Sequence, residues 1–116
     1  KLVQETASNL AERKPPMNDN ATAMKYLNDP DYGLVAQKPI FTHTLVGLRT
    51  YLSRLVTTDG VELTWERVGT TTCEGIKGIT DIYEGYLPSR KLYKTLYLNM
   101  YGMTDSETAP VGFRLK

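Results

Sequence analysis

His43 is the sole imidazole of the chain and Cys73 the sole thiol, so a thiolate–imidazole nucleophilic pair has one composition available. It depends on the fold to bring two distant positions together. The same two residues cannot complete a four-ligand zinc shell, and one cysteine closes no internal disulfide. Glu62, Glu66, Asp81 and Glu84 place carboxylates on segments of strand-like composition. Two such groups at a suitable separation can run glycoside hydrolysis, although acids that alternate along a strand also describe the solvated face of a sheet. Gly69, Gly75 and Gly78 fit neither a phosphate loop nor a dinucleotide fingerprint, and the sequence implies no cofactor. A small hydrolase using His43 or the strand carboxylates is one expectation, and it requires a concave pocket that collects them.

Recognition offers a second kind of chemistry. Along the stretch from Lys91 to Tyr101, the positions Leu92, Lys94, Leu96, Leu98 and Met100 share one parity, and Tyr93, Thr95, Tyr97, Asn99 and Tyr101 the other. If a helix covers the leucine parity, Tyr93, Tyr97 and Tyr101 line the opposite face. They then form either a stacking surface for a sugar, peptide or partner protein or a second packing layer. Asp81, on the preceding strand, is grouped with these tyrosines as a candidate binding residue.

Other segments must position these residues. From Thr44, a candidate cap, Leu48, Tyr51, Leu52, Leu55 and Val56 follow helical spacing, which predicts an amphipathic helix over 45–56 ended by Thr58-Asp59-Gly60. Val61, Leu63 and Trp65 alternate with Glu62, Thr64 and Glu66, the period of a half-buried strand over 61–68. Gly69 to Gly75 reads as a loop. Gly78 to Tyr86 and Lys91 to Tyr101 read as a hairpin around Pro88-Ser89-Arg90. A three-residue loop there opposes Tyr86 to Leu92, Glu84 to Lys94 and Ile82 to Leu96. Lys38 to Thr42 reads as a short extended edge, Asp31-Tyr32-Gly33 as a turn, and Ala109 to Phe113 as an extended tail that packs Phe113 on the sheet edge. The fold class is α+β: an antiparallel sheet of three to four strands with one amphipathic helix packed on one face. Residues 1–24, with Pro15 and Pro16, read as a polar tether, and 25–116 as a single domain.

With 41% hydrophobic residues in 116, the chain has material for one core. Fourteen Lys and Arg against thirteen Asp and Glu leave a charge of +1, which gives no large field for a nucleic acid backbone. No apolar run approaches the roughly 20 residues a membrane helix needs. Nothing in the sequence sets the oligomeric state.

The runs Asp29-Pro30-Asp31-Tyr32-Gly33, Lys38-Pro39-Ile40, Leu63-Thr64-Trp65-Glu66-Arg67-Val68-Gly69, Gly78-Ile79-Thr80-Asp81-Ile82-Tyr83-Glu84 and Thr95-Leu96-Tyr97-Leu98-Asn99-Met100-Tyr101 carry a family likeness, together with the closing Ala109-Pro110-Val111-Gly112-Phe113. Over 29–116 they resemble a group of small bacterial envelope proteins, secreted or lipoprotein-like. The resemblance implies an exported or lipid-anchored protein whose leader and tether precede the domain. With it, the leading expectation is a non-catalytic binding or accessory module of the envelope, of the immunity type, that engages a protein partner through the tyrosine face or the 69–77 loop. A structural envelope domain is a further alternative.

Overall fold

The computed structural model describes residues 29–116; the tether assigned to residues 1–24 and the start of the domain at residue 25 lie outside the described residues. The chain enters through a turn in which Asp29 accepts the Tyr32 N–H and Asp31 that of Leu34. It then forms β1 (Ile40–Phe41), α1 (Thr44–Arg54), β2 (Leu55–Thr57), β3 (Thr64–Thr71), β4 (Thr80–Tyr86), β5 (Leu92–Asn99) and β6 (Phe113–Leu115). One four-stranded sheet has the order β1-β5-β4-β3, and β2 pairs with β6 in a separate two-stranded sheet. The large sheet is antiparallel except at β1, which runs parallel to β5 with Ile40 beside Leu98. The α+β class therefore stands, with a mixed rather than purely antiparallel sheet.

Both ends of the helix differ from the sequence expectation. Thr44 is not the cap: His43 holds that place, makes no side-chain capping bond, and hands on to a Thr44 with φ of 67°. Asp105 supplies the missing acceptor from across the fold, its Oδ1 taking the His43 N–H at 2.7 Å. That approach requires a glycine one turn on, since a Cβ at Gly47 would lie 2.9 Å from the Asp105 Cγ. At the other end α1 stops at Arg54, and Leu55 and Val56 turn extended to pair with Leu115 and Arg114. The Arg54 carbonyl, left open where the helix ends, accepts the N–H of Lys116 at 2.7 Å. Helical spacing put Leu55 in the core correctly; pairing with the far C-terminus decided its backbone.

The strand expected at 61–68 lies at 64–71. Val61 and Glu62 belong instead to a tight return from β2, with the Thr57 N–H bonded to the Val61 carbonyl and Glu62 bridged to Val56. Gly69 to Thr71, expected in a loop, continue β3 past a bulge at Val68, where the pairing shifts from Arg67–Tyr83 to Gly69–Ile82. An extra residue twists the strand and restores its facing, which an alternation count cannot show.

The hairpin has the expected three-residue loop. Leu87 N–H bonds to the Lys91 carbonyl, and Arg90 takes a left-handed φ of 71°. Tyr86 opposes Leu92, but a second bulge then pairs Gly85 with Lys94, Glu84 with Thr95 and Tyr83 with Leu96. The expected Glu84–Lys94 and Ile82–Leu96 pairs are thus displaced by one residue.

The core gathers Ile40, Leu48, Tyr51, Leu52, Leu55, Leu96, Leu98 and Phe113 between α1 and one face of the large sheet. Phe113 is a core residue on β6, not an edge cover. Its ring stacks on Trp65 with centroids 6.0 Å apart, and Trp65 lies over Gly85, where a Cβ would come within 2.6 Å of the indole.

Candidate functional site

The second bulge divides the tyrosines. Tyr93, the inserted residue, turns to the core side, meets Phe113 edge-on at 5.3 Å and donates its hydroxyl to the Gly112 carbonyl at 2.5 Å. A classic bulge places two successive side chains on one side of the sheet, which explains why Tyr93 accompanies Lys94. Tyr97 keeps the outer face opposite Ile82 and is half-buried. Tyr101 lies beyond the end of β5, 49% exposed, bridged to His43 and packed on Gly78. The three rings expected on one face therefore occupy three environments.

Asp81 faces the core side, not the outer face of Tyr97. It is 2% exposed, and its Oδ1 accepts from Arg67 Nε at 3.0 Å. Arg67 stands directly opposite Tyr83 in the β3–β4 ladder. Burial first, and then the Asp81 charge, push the Tyr83 hydroxyl above its ordinary range, while Arg67 and Arg49 pull it back. Arg67 remains 55% exposed, so the buried carboxylate holds the Nε of a side chain that is otherwise largely open to solvent. Sequence reasoning missed this residue, because its importance comes from the partner beneath it.

The outer face carries four cross-strand rows, of which Thr71, Thr80 and Asn99 form the one nearest the 72–79 turn. Thr64, Tyr86 and Leu92 form one, Glu66, Glu84 and Thr95 the next, and Gly69, Ile82 and Tyr97 the third. Glu66 and Glu84 are directly opposed like charges, an unfavourable pair. Tyr86 donates its hydroxyl to Glu84, and that bond, followed by burial and the nearby carboxylates, raises the Tyr86 pKa. Thr64, Glu66, Tyr86, Leu87, Pro88 and Arg90 line an open depression of about 480 Å³ at this end of the sheet.

The His43 ring is held by the main chain of the 102–106 loop. Its Nδ1 meets the Gly102 carbonyl at 3.0 Å, so that nitrogen carries the proton, and Asp105 bonds to the main chain of His43 rather than to the imidazole. The depression of about 450 Å³ beside it is lined by Thr44, Leu45, Met100, Tyr101 and Gly102, and contains neither Cys73 nor a carboxylate. Cys73 sits half-buried in the turn after β3, where its carbonyl accepts the Ile76 N–H. Among the described residues no group of three or more His, Cys, Asp and Glu side chains is placed to hold a metal ion, and no helix is long and apolar enough to cross a membrane.

The end of the large sheet leaves main-chain groups unpaired among the described residues. Strand β3 closes the large sheet, pairs with β4 alone among the described residues, and exposes Thr64, Glu66, Arg67, Val68 and Thr70. Its outer side offers a row of backbone donors and acceptors along eight residues. The alternation of the sequence announces a strand here, but its place at the end of the sheet follows from topology alone. No family model, curated protein or solved structure matches the chain, so this edge is read from its own geometry.

Proposed function

We propose that the protein is a non-catalytic binding module that takes an extended segment of a protein partner along β3. The observation that supports this is the eight-residue edge strand with one side unpaired among the described residues, because main-chain hydrogen bonding to an added strand is a general mode of peptide recognition. The outer rows of Tyr86 with Leu92 and Ile82 with Tyr97 would extend the contact beyond the backbone. The resemblance over 29–116 is what suggests the bacterial envelope as the setting of this activity, with an immunity-type role as its narrower form.

The test uses the protein immobilised beside its Val68→Lys variant, since a lysine at the exposed bulge is a device that blocks edge pairing. A partner retained from bacterial envelope extract by the parent and lost by the variant, with β3 amides protected from hydrogen exchange in the complex, is the expected result. Equal retention by both, or protection elsewhere and none in β3, refutes the proposal.

A further inference from the structure

We infer that the segment received by β3 runs antiparallel to it, the more stable pairing per residue, and carries an acidic residue followed immediately by a basic one. This rests on the edge-docking proposal and adds the chemistry of the partner. Glu66 and Arg67 are consecutive and exposed, and they point to opposite faces of the sheet. In an added antiparallel strand, the residue opposite Arg67 precedes the residue opposite Glu66, and each shares the face of its counterpart.

On the core side, Arg67 already spends its Nε on the buried Asp81. The Arg67 side chain stays 55% exposed all the same, and a guanidinium keeps further donors for a second carboxylate in the fork geometry it favours. On the outer side, Glu66 has Glu84 as its cross-strand neighbour on β4, and the hydroxyl of Tyr86 bonds to Glu84 rather than to Glu66. A basic residue on the open side of Glu66 would relieve the repulsion between these two carboxylates.

A second copy of the chain does not supply this pattern. Opposite residues of an antiparallel pair share a face, and Glu66 and Arg67 do not, so Glu66 of one copy never stands opposite Arg67 of another. Self-pairing centred on either residue sets like charge against like. No self-pairing register therefore gives both charges an opposite partner, which a different segment can supply.

Synthetic peptides as long as β3, of alternating valine and threonine, test this when they carry glutamate–lysine, lysine–glutamate or no charge at the centre. The expected result is that the glutamate–lysine peptide protects the β3 amides and binds about tenfold more tightly than the lysine–glutamate peptide. The Glu66→Lys protein should shift its preference to a peptide with glutamate at both central positions. Equal protection of β3 by all peptides, or a preference for the lysine–glutamate order, overturns the charge pattern and leaves edge docking standing. If no peptide protects β3, edge docking itself fails, and the inference with it.

Discussion

The two edges of the large sheet are built on opposite plans. At β1 the edge is two residues long, with Ile40 and Phe41 at 0% and 1% exposure, and loops use up the backbone groups around it. Phe41 accepts the Ser106 N–H, Thr42 accepts that of Gly102, and the Tyr97 N–H of β5 bonds to the Gly33 carbonyl just before β1 begins. At β3 the edge is eight residues long, and no loop among the described residues pairs with it. The bulge at Val68 and the charges of Glu66 and Arg67 guard it against indiscriminate pairing. This contrast among the described residues is the ground on which β3 is proposed as the side that another chain joins.

The sharpest way to break this contrast is to damage the sealed edge. Phe41→Ala should destabilise the protein by about 3–5 kcal/mol in denaturant melts, since a fully buried aromatic side chain leaves a cavity under the 102–106 loop. A loss below about 1 kcal/mol would show that the edge is covered loosely and that the contrast is overstated.

A smaller effect tests how the same side is tied to α1. Gly47→Ala should cost about 1–3 kcal/mol, because the added methyl group displaces the Asp105 carboxylate that receives the His43 N–H. Asp105→Asn with Gly47 retained should cost less, since an amide oxygen can still accept that bond. The two urea midpoints would be compared directly.

The sealed side should also respond to alkali. Burial holds the Tyr51 hydroxyl well above its ordinary pKa, and the group donates to the Thr108 carbonyl at 2.5 Å. The unfolded chain loses this proton near about pH 10 while the folded chain keeps it. The stabilisation is therefore complete below that pH and declines as pH rises above it. Tyr51→Phe should cost about 1 kcal/mol at neutral pH and flatten the alkaline decline. Tyr32, also raised by burial, leaves a residual slope. An unchanged alkaline profile in the variant would assign the decline to other groups.

The smallest effect belongs to the open edge. Val68→Lys should change stability by less than about 0.5 kcal/mol, as expected for an exposed position. Thermal melts that show a larger loss would mean that the bulge is part of the folding core and not a free rim.

Local chemistry alone determined much of this molecule. The spacing of Leu48, Tyr51 and Leu52 specifies a helix with a buried stripe, and the Asp31-Tyr32-Gly33 turn and the loop at Pro88 to Arg90 are written in residues whose backbone preferences act over a few positions. The α+β class follows from these elements in sequence. Tertiary structure decided where α1 ends, because Leu55 pairs with Leu115 far along the chain. It decided that Tyr93 leaves Tyr97 for the core side, because a bulge changes parity without altering composition. It also placed Asp81 beneath Arg67 and left β3 at the end of the sheet. Hydrophobic spacing and turn propensity are short-range quantities, so they identify a strand but cannot say which neighbour, if any, lies on each side of it.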